Sequence, residues 1–506
     1  MLNKEQLNKK QLGKKVLNKL FTDKSMSRRE LLKAGAKTTG AVAGLGVASG
    51  LTGVAPAFAA PTSAGSELVK KAVRVTPQRK ALVFIMLDGG NDSFNMLVPT
   101  DKKHYKQYQQ TRSNLALAKD ELLPLQSYKD EQGRSFGLHP SMPEVQQLFN
   151  QQKLAFVANM GPLIQPVSKQ SFKNGSAPLP LGLMSHADQF KHWQTSMPDQ
   201  RLNQGWFGRF ADTLQPSPAP TDIPMNISLA GSNIMQNGVK TQHYSVTDKG
   251  SVGLVVHEES SPLNDTLLAS FNDLITADYH SDPFKQSYLL STWQAQQQHQ
   301  TFKMAVQQHR VPERFSDTPL SQQLKQVAKT IKAADELGTP QQTFFLRYIG
   351  WDHHDELLNS HAEMLRVLSQ ALGEFQQALE AMGLDDQVIT FTGSDFGRTL
   401  TSNGNGTDHG WGGNTLVMGN AIAGGQIFGQ YPDLTLGEQN PLDVGDGVLI
   451  PTTATDQLYA ELALWFGIKR RDLPLMFPNL KHFYNMANFN QALPLGVVPA
   501  AAQAQI

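Results

Sequence analysis

Three aspartates stand where short apolar runs give way to turn residues. Asp88 follows residues 81–87 (ALVFIML), Asp352 follows 343–349 through Gly350-Trp351, and Asp395 follows 388–392 through Gly393-Ser394. One acid after a strand is commonly a helix cap or an Asx-turn. Three at the ends of separate strands can converge on one crevice, because open parallel sheets bind ligands beyond their carboxyl ends. Histidines share these surroundings. Of the fourteen, six fall in turn-rich motifs: His139 (LHP), His186 (MSHAD), His353, His354 and His361 (WDHHDELLNSH), and His409 (TDHGWGG). Imidazole and carboxylate without sulfur suit Zn²⁺, Mn²⁺ or Fe, and an oxygen-rich neighbouring site suits Mg²⁺ or Ca²⁺. A lone histidine reads as an ordinary hydrogen-bonded residue. That reading is preferred for His353, whose neighbour points the other way.

The elements that must hold these residues are legible. Continuous apolar runs such as 81–87, 153–158, 343–349 and 388–392 read as strands buried on both faces, with 416–418 as a further strand. Met364, Leu368, Leu372, Phe375, Leu379 and Met382 recur at helical steps, and Gly383 supplies a stop. A helix is expected over 141–151 and another over 452–470. The Gln-rich stretch 262–338 reads as a helical insertion on the sheet, and 483–506 as a loosely ordered tail. The expected fold is α/β, a mainly parallel sheet flanked by helices. G-x-S-x-G, Walker A and post-strand G-x-G-x-x-G motifs are all missing from the sequence.

Composition narrows the function. The chain has 506 residues, no cysteine and a formal net charge of +1. Thiolate metal sites, Fe–S clusters, disulfides and a cysteine nucleophile are thereby excluded. Residues 1–59 are laid out as an export signal: a basic start containing Ser27-Arg28-Arg29-Glu30-Leu31-Leu32-Lys33, a Gly/Ala-rich stretch, then Ala57-Phe58-Ala59. The paired arginines resemble a twin-arginine signal, whose cargo folds before export. The Gly/Ala-rich stretch is a poor bilayer span. The signal carries eleven of the 45 Lys/Arg and three of the 44 Asp/Glu, which leaves 34 basic against 41 acidic residues in the mature chain. Nucleic-acid binding is not expected of that balance. The expectation is a periplasmic or secreted protein, with the export machinery as a partner and no membrane span after cleavage. Residues 60–79 are a polar lead-in, and 80–482 form the functional domain.

Nine motifs in order carry a resemblance: LDGGNDSFNMLVP (87–99), LHPSMPEV (138–145), ANMG (158–161), SHADQFKHW (185–193), GWFGRFAD (205–212), GWDHH (350–354), GSDFGRT (393–399), GTDHGWGG (406–413) and LWFGI (464–468). They resemble the bacterial family called domain of unknown function 1501, placed in the alkaline phosphatase/sulfatase-like superfamily. The resemblance implies an alkaline-phosphatase-like core. It also implies one or two divalent metals (Zn, Mn, Mg or Ca) beside a nucleophile, acting on an anionic ester. Carried over residue by residue, it implies Asp88, Asp352, His354, Asp395 and His409 as metal ligands, with His361 as a possible substitute for His354.

Departures from the pattern bear on the chemistry. Ser141-Met142-Pro143 has the outline of a sulfatase motif, but Val145 stands where arginine is expected and no cysteine exists for formylglycine. Ser141 is the candidate nucleophile, Ser93 and Thr100 are other hydroxyls near Asp88, and a metal-activated water is the alternative. His139 or His186 would act as acid/base or extra ligand. Phe396 follows Asp395 where many superfamily enzymes have histidine, which weakens one metal site. Arg398 would bind the substrate anion through its guanidinium fork or pair with a neighbouring acid. The expected function is an exported metal-dependent hydrolase of phosphate or sulfate esters, or a related transferase. The alternative is a non-catalytic periplasmic binding or assembly protein that retains the fold.

Overall fold

The computed structural model describes residues 79–499, apart from 127, 216–218, 220, 255–260, 276–281 and 491. The export-signal reading of 1–59 lies outside these residues. The strands are β1 (Lys80–Asp88), β2 (Leu97–Pro99), β3 (Leu123–Pro124), β4 (Phe136–Leu138), β5 (Leu154–Gly161) and β6 (Asn226–Ser228). They continue with β7 (Tyr244–Ser245), β8 (Gln341–Ile349), β9 (Val388–Ser394), β10 (Gly413–Met418), β11 (Ile427–Phe428) and β12 (Thr453–Ala454). Nine form one sheet in the order β11-β5-β10-β9-β1-β8-β6-β7, with β12 also on β5, and β2-β4-β3 form a small second sheet. Only β10 runs antiparallel to its neighbours in the large sheet. The expected mainly parallel sheet flanked by helices is what the chain forms.

β1 explains the apolar run. Its side chains alternate between two cores: Ala81, Val83, Ile85 and Leu87 enter one, and Leu82, Phe84 and Met86 enter the other. A strand buried on both faces needs apolar residues at every position. The first core is closed by the helix Leu357–Ala381, whose His361, Leu365, Leu368, Leu372, Phe375 and Leu379 are buried along one face. This helix begins seven residues before Met364, and that register turns His361 inward. The second core is closed by the helices His186–Thr195, Trp206–Leu214 and Thr455–Phe466.

Two expected segments are placed differently. In the stretch read as an insertion, the helix Pro319–Lys332 packs Leu320, Leu324, Val327 and Ile331 into the first core. In the tail, Val497 and Val498 are fully buried, and the Glu461 carboxylate accepts hydrogen bonds from the backbone N–H groups of Leu495, Gly496 and Val498. The tail is therefore docked as far as these residues. No helix among the described residues is long and apolar enough to cross a membrane.

Candidate metal centre

The central strands β9, β1 and β8 run parallel, so their carboxyl ends lie together. Leu87 pairs with Ser394 and Asp88 with Ile349, which brings Asp88 beside Asp395 and beside the turn to Asp352. Strand alternation puts Asp88 on the face of Phe84 and Met86, Arg347 on that of Phe345, and Asp395 on that of Phe391. These apolar residues all belong to the second core. The turn after β8 doubles back, with Gly350 and Trp351 both donating backbone N–H to the Asp88 carbonyl. Gly89 (φ +127°) is required here, because a Cβ would collide with the backbone of Trp351 and Asp352.

Two loops and a helix complete the centre. His186 is the first residue of its helix, and His409 sits in the glycine-rich loop before β10. Ligand atoms of His186, Asp352 and His409 all lie within 4.8 Å of one another, and this is the metal-capable group among the described residues. His186 Nε2 is 3.1 Å from His409 Nε2 and 3.4 Å from Asp352 Oδ2, and His409 Nε2 is 3.5 Å from Asp352 Oδ1.

Each donor is held from behind. His409 Nδ1 donates to the Met184 carbonyl at 2.9 Å, which leaves the Nε2 lone pair facing the centre. His186 Nδ1 meets Asp395 Oδ2 at 2.6 Å. The Asp395 hydrogen bond raises the His186 pKa, and burial pushes the Asp395 carboxyl up. Both shifts favour a proton kept between the two, with Nε2 turned to the centre. Asp352 receives Arg398 Nη1 at 2.5 Å and lies 3.0 Å from His354 Nδ1. Partial burial pushes the Asp352 carboxyl up, but the Arg398 hydrogen bond and charge outweigh it and hold the group below the ordinary range. Two imidazoles and a carboxylate with solvent access suit a borderline divalent cation such as Zn²⁺, and a site of three protein ligands leaves a position for substrate. The donor set therefore fits a metal.

Other expected residues are placed elsewhere. Asp88 lies outside the metal-capable group and is bound by Arg347, whose Nε donates to Oδ2 at 2.9 Å and whose Nη2 donates to the same oxygen. Asp395 supports His186. His354 flanks Asp352 and reaches toward Asp408, 3.8 Å away. Arg398 is 1% exposed and committed to Asp352, the Gly89 carbonyl and both oxygens of Thr407, so the structure gives it a structural pairing and no open fork. The Phe396 ring packs on both centre histidines, with centroids 4.7 Å from His186 and 4.5 Å from His409.

His139, His353 and His361 form a separate buried cluster. His139 and His353 each lie 5.8 Å from His361 between ring centroids. His139 Nδ1 accepts the Ser141 backbone N–H at 3.1 Å, and burial pushes its pKa down to about 4. Burial likewise lowers His353 and His361. Ser141 precedes Met142, the cap of the helix Pro143–Asn150, and its backbone N–H on His139 places it beside this cluster. Ser93 Oγ is taken up by the Asn414 backbone N–H. Arg347 was missed from sequence; a lone arginine inside the run TFFLRYI was the signal available.

Residues 79–471 match the family described as "Protein of unknown function (DUF1501)", and the chain belongs to that family. No curated protein matches the chain. Among solved structures it is similar to Ps i-CgsB in complex with k-i-k-neocarrahexaose, at 10% identity over 81% of this chain and 78% of that one, with a TM-score of 0.32. It is also similar to the lipoteichoic acid synthase LtaP from Listeria monocytogenes (7% identity, 78% and 73% covered, TM-score 0.30). A third is the PsFucS1 sulfatase from Pseudoalteromonas sp. (10%, 78% and 69%, TM-score 0.30). Likenesses this distant carry no weight for the chemistry of the centre.

Proposed function

We propose that the chain is an exported, metal-dependent hydrolase of phosphate or sulfate esters, with the metal held by His186, Asp352 and His409. The observation that carries this reading is the convergence of their ligand atoms within 4.8 Å from three separate segments, with the donors held from behind by Asp395, Arg398 and the Met184 carbonyl. A divalent ion bound there supplies Lewis-acid polarisation of the ester and neutralises charge in the transition state. Asp395 fixes the His186 ring, and Arg398 fixes Asp352. His354, partly exposed beside Asp352, is suited to pass a proton to the departing ester oxygen. Water is the attacking group: its oxygen bonds to phosphorus or sulfur, the ester oxygen leaves with the proton from His354, and the proton that water gives up restores His354. Ser141 is not called on as nucleophile. The lead sequence Ser27 to Lys33 supports export.

The test is hydrolysis of a generic phosphate monoester, phosphate diester and sulfate ester by the mature chain, supplied in turn with Zn²⁺, Mn²⁺, Mg²⁺ and Ca²⁺. At least one ester should be cleaved, with activity lost on chelation and in Asp352→Asn and His409→Ala. Uniform inactivity of a metal-loaded chain would instead favour a binding or assembly protein. The Phe396 ring, packed on the centre where a further ligand would stand, is the observation on that side.

A further inference from the structure

Arg347 is the one strongly basic group at these strand ends that the reading above leaves unused. It lies two residues before the end of β8, on the face that carries Asp88 and Asp395. Its guanidinium is held on two sides. Nε and Nη2 both bond to Asp88 Oδ2, and the guanidinium carbon lies 5.0 Å from the centroid of the Phe190 ring. Phe190 belongs to the same helix that presents His186.

Two carboxylates at the ends of neighbouring strands repel each other, and the Asp88 charge is felt at Asp395. Each is answered by its own cation or proton donor: Asp395 by His186, and Asp88 by Arg347. A guanidinium stays charged at any physiological pH and takes up Asp88 Oδ2, one of the two oxygens through which Asp88 could reach a metal. The side chain is nevertheless 36% exposed, while Asp88 is 15% exposed. Asp88 and Phe190 take up Nε, Nη2 and one face of the group, which leaves the Nη1 edge available. A rigid edge of N–H donors is the geometry that receives tetrahedral oxyanions.

We propose that Arg347 is the built-in second cation of this centre: it keeps Asp88 out of metal coordination and anchors the anionic group of the substrate. The substrate role rests on the ester-hydrolase reading, but binding of a free anion is measurable without turnover.

The experiment uses the full chain, titrated calorimetrically with inorganic phosphate and inorganic sulfate, alongside metal content by elemental analysis. At least one of the two anions should bind. Arg347→Gln should weaken that binding by about tenfold or more without lowering metal content. Arg347→Lys keeps the charge, serves as the folding control and should recover part of the affinity. Asp88→Asn should leave metal content unchanged while weakening anion binding, since Arg347 loses its anchor. Loss of metal in Asp88→Asn, unchanged anion affinity in Arg347→Gln, or a wild-type chain that binds neither anion would each overturn the proposal. Ester inactivity alongside intact, Arg347-dependent anion binding would count against the hydrolase reading alone.

Discussion

Two histidine clusters stand among the described residues, and they differ in burial and in the partners of their ring nitrogens. His186 and His409 reach solvent, face a carboxylate and have their far nitrogens fixed by Asp395 and the Met184 carbonyl. His139, His353 and His361 are buried, have their pKa values pushed down by desolvation and pack edge-on, His139 and His353 each against His361. His361 has its Nε2 on Asn91 Oδ1 at 2.9 Å, and Asp92 is drawn away by Arg112 at 2.6 Å. Histidine density alone therefore does not mark a centre. What distinguishes the first cluster is a carboxylate among the rings and a second partner aiming each ring.

Breaking the first cluster should have the largest effect. Asp352→Asn takes away the charge of a ligand and His409→Ala removes a ligand outright, and divalent metal affinity should fall by more than about a hundredfold, read by calorimetric titration. Asp395→Asn leaves the ligands in place but loosens the aim of His186. Affinity should then fall by roughly ten- to a hundredfold. In the second cluster, His361→Ala should leave metal content unchanged and lower stability by about 2 kcal/mol, because it opens the core and orphans Asn91. Denaturant unfolding with elemental analysis of the same sample separates the two outcomes.

An effect on stability alone concerns the far end of the helix that carries His186. Its C-terminal Ser196 donates to Asp456, and burial pushes that carboxyl up to about 7. The folded chain keeps this proton where the unfolded chain has lost it. The contribution is complete below the ordinary aspartate range and is lost as pH rises through about 7. Asp456→Asn should flatten the fall in Tm between those limits, a shift read by thermal unfolding at a series of pH values.

Much of this was legible in the sequence. Apolar runs ending in Asp88, Asp352 and Asp395 mark parallel strands, and the glycines around His409 mark a loop at the centre. The burial of His361 was legible too: it stands four, seven and eleven residues before Leu365, Leu368 and Leu372, on the face that packs into the core. The sequence already set His353 apart from its neighbour as an ordinary residue, and in the fold His353 is buried while His354 is partly exposed beside Asp352. Other features depend on tertiary register. The pairing of Arg347 with Asp88 follows from the alignment of β8 with β1, and the Met184 carbonyl that aims His409 lies 225 residues away in the chain. Arg398 sits beside a strand-end acid in both readings, but only its burial reveals that its donors are already taken.

The most direct test is an anomalous difference map from crystals of residues 79–499 or of the full chain grown with Zn²⁺ or Mn²⁺. The account predicts one strong peak about 2.0–2.2 Å from His186 Nε2, His409 Nε2 and an Asp352 oxygen. A map without that peak, or with its strongest peak among His139, His353 and His361, would contradict it.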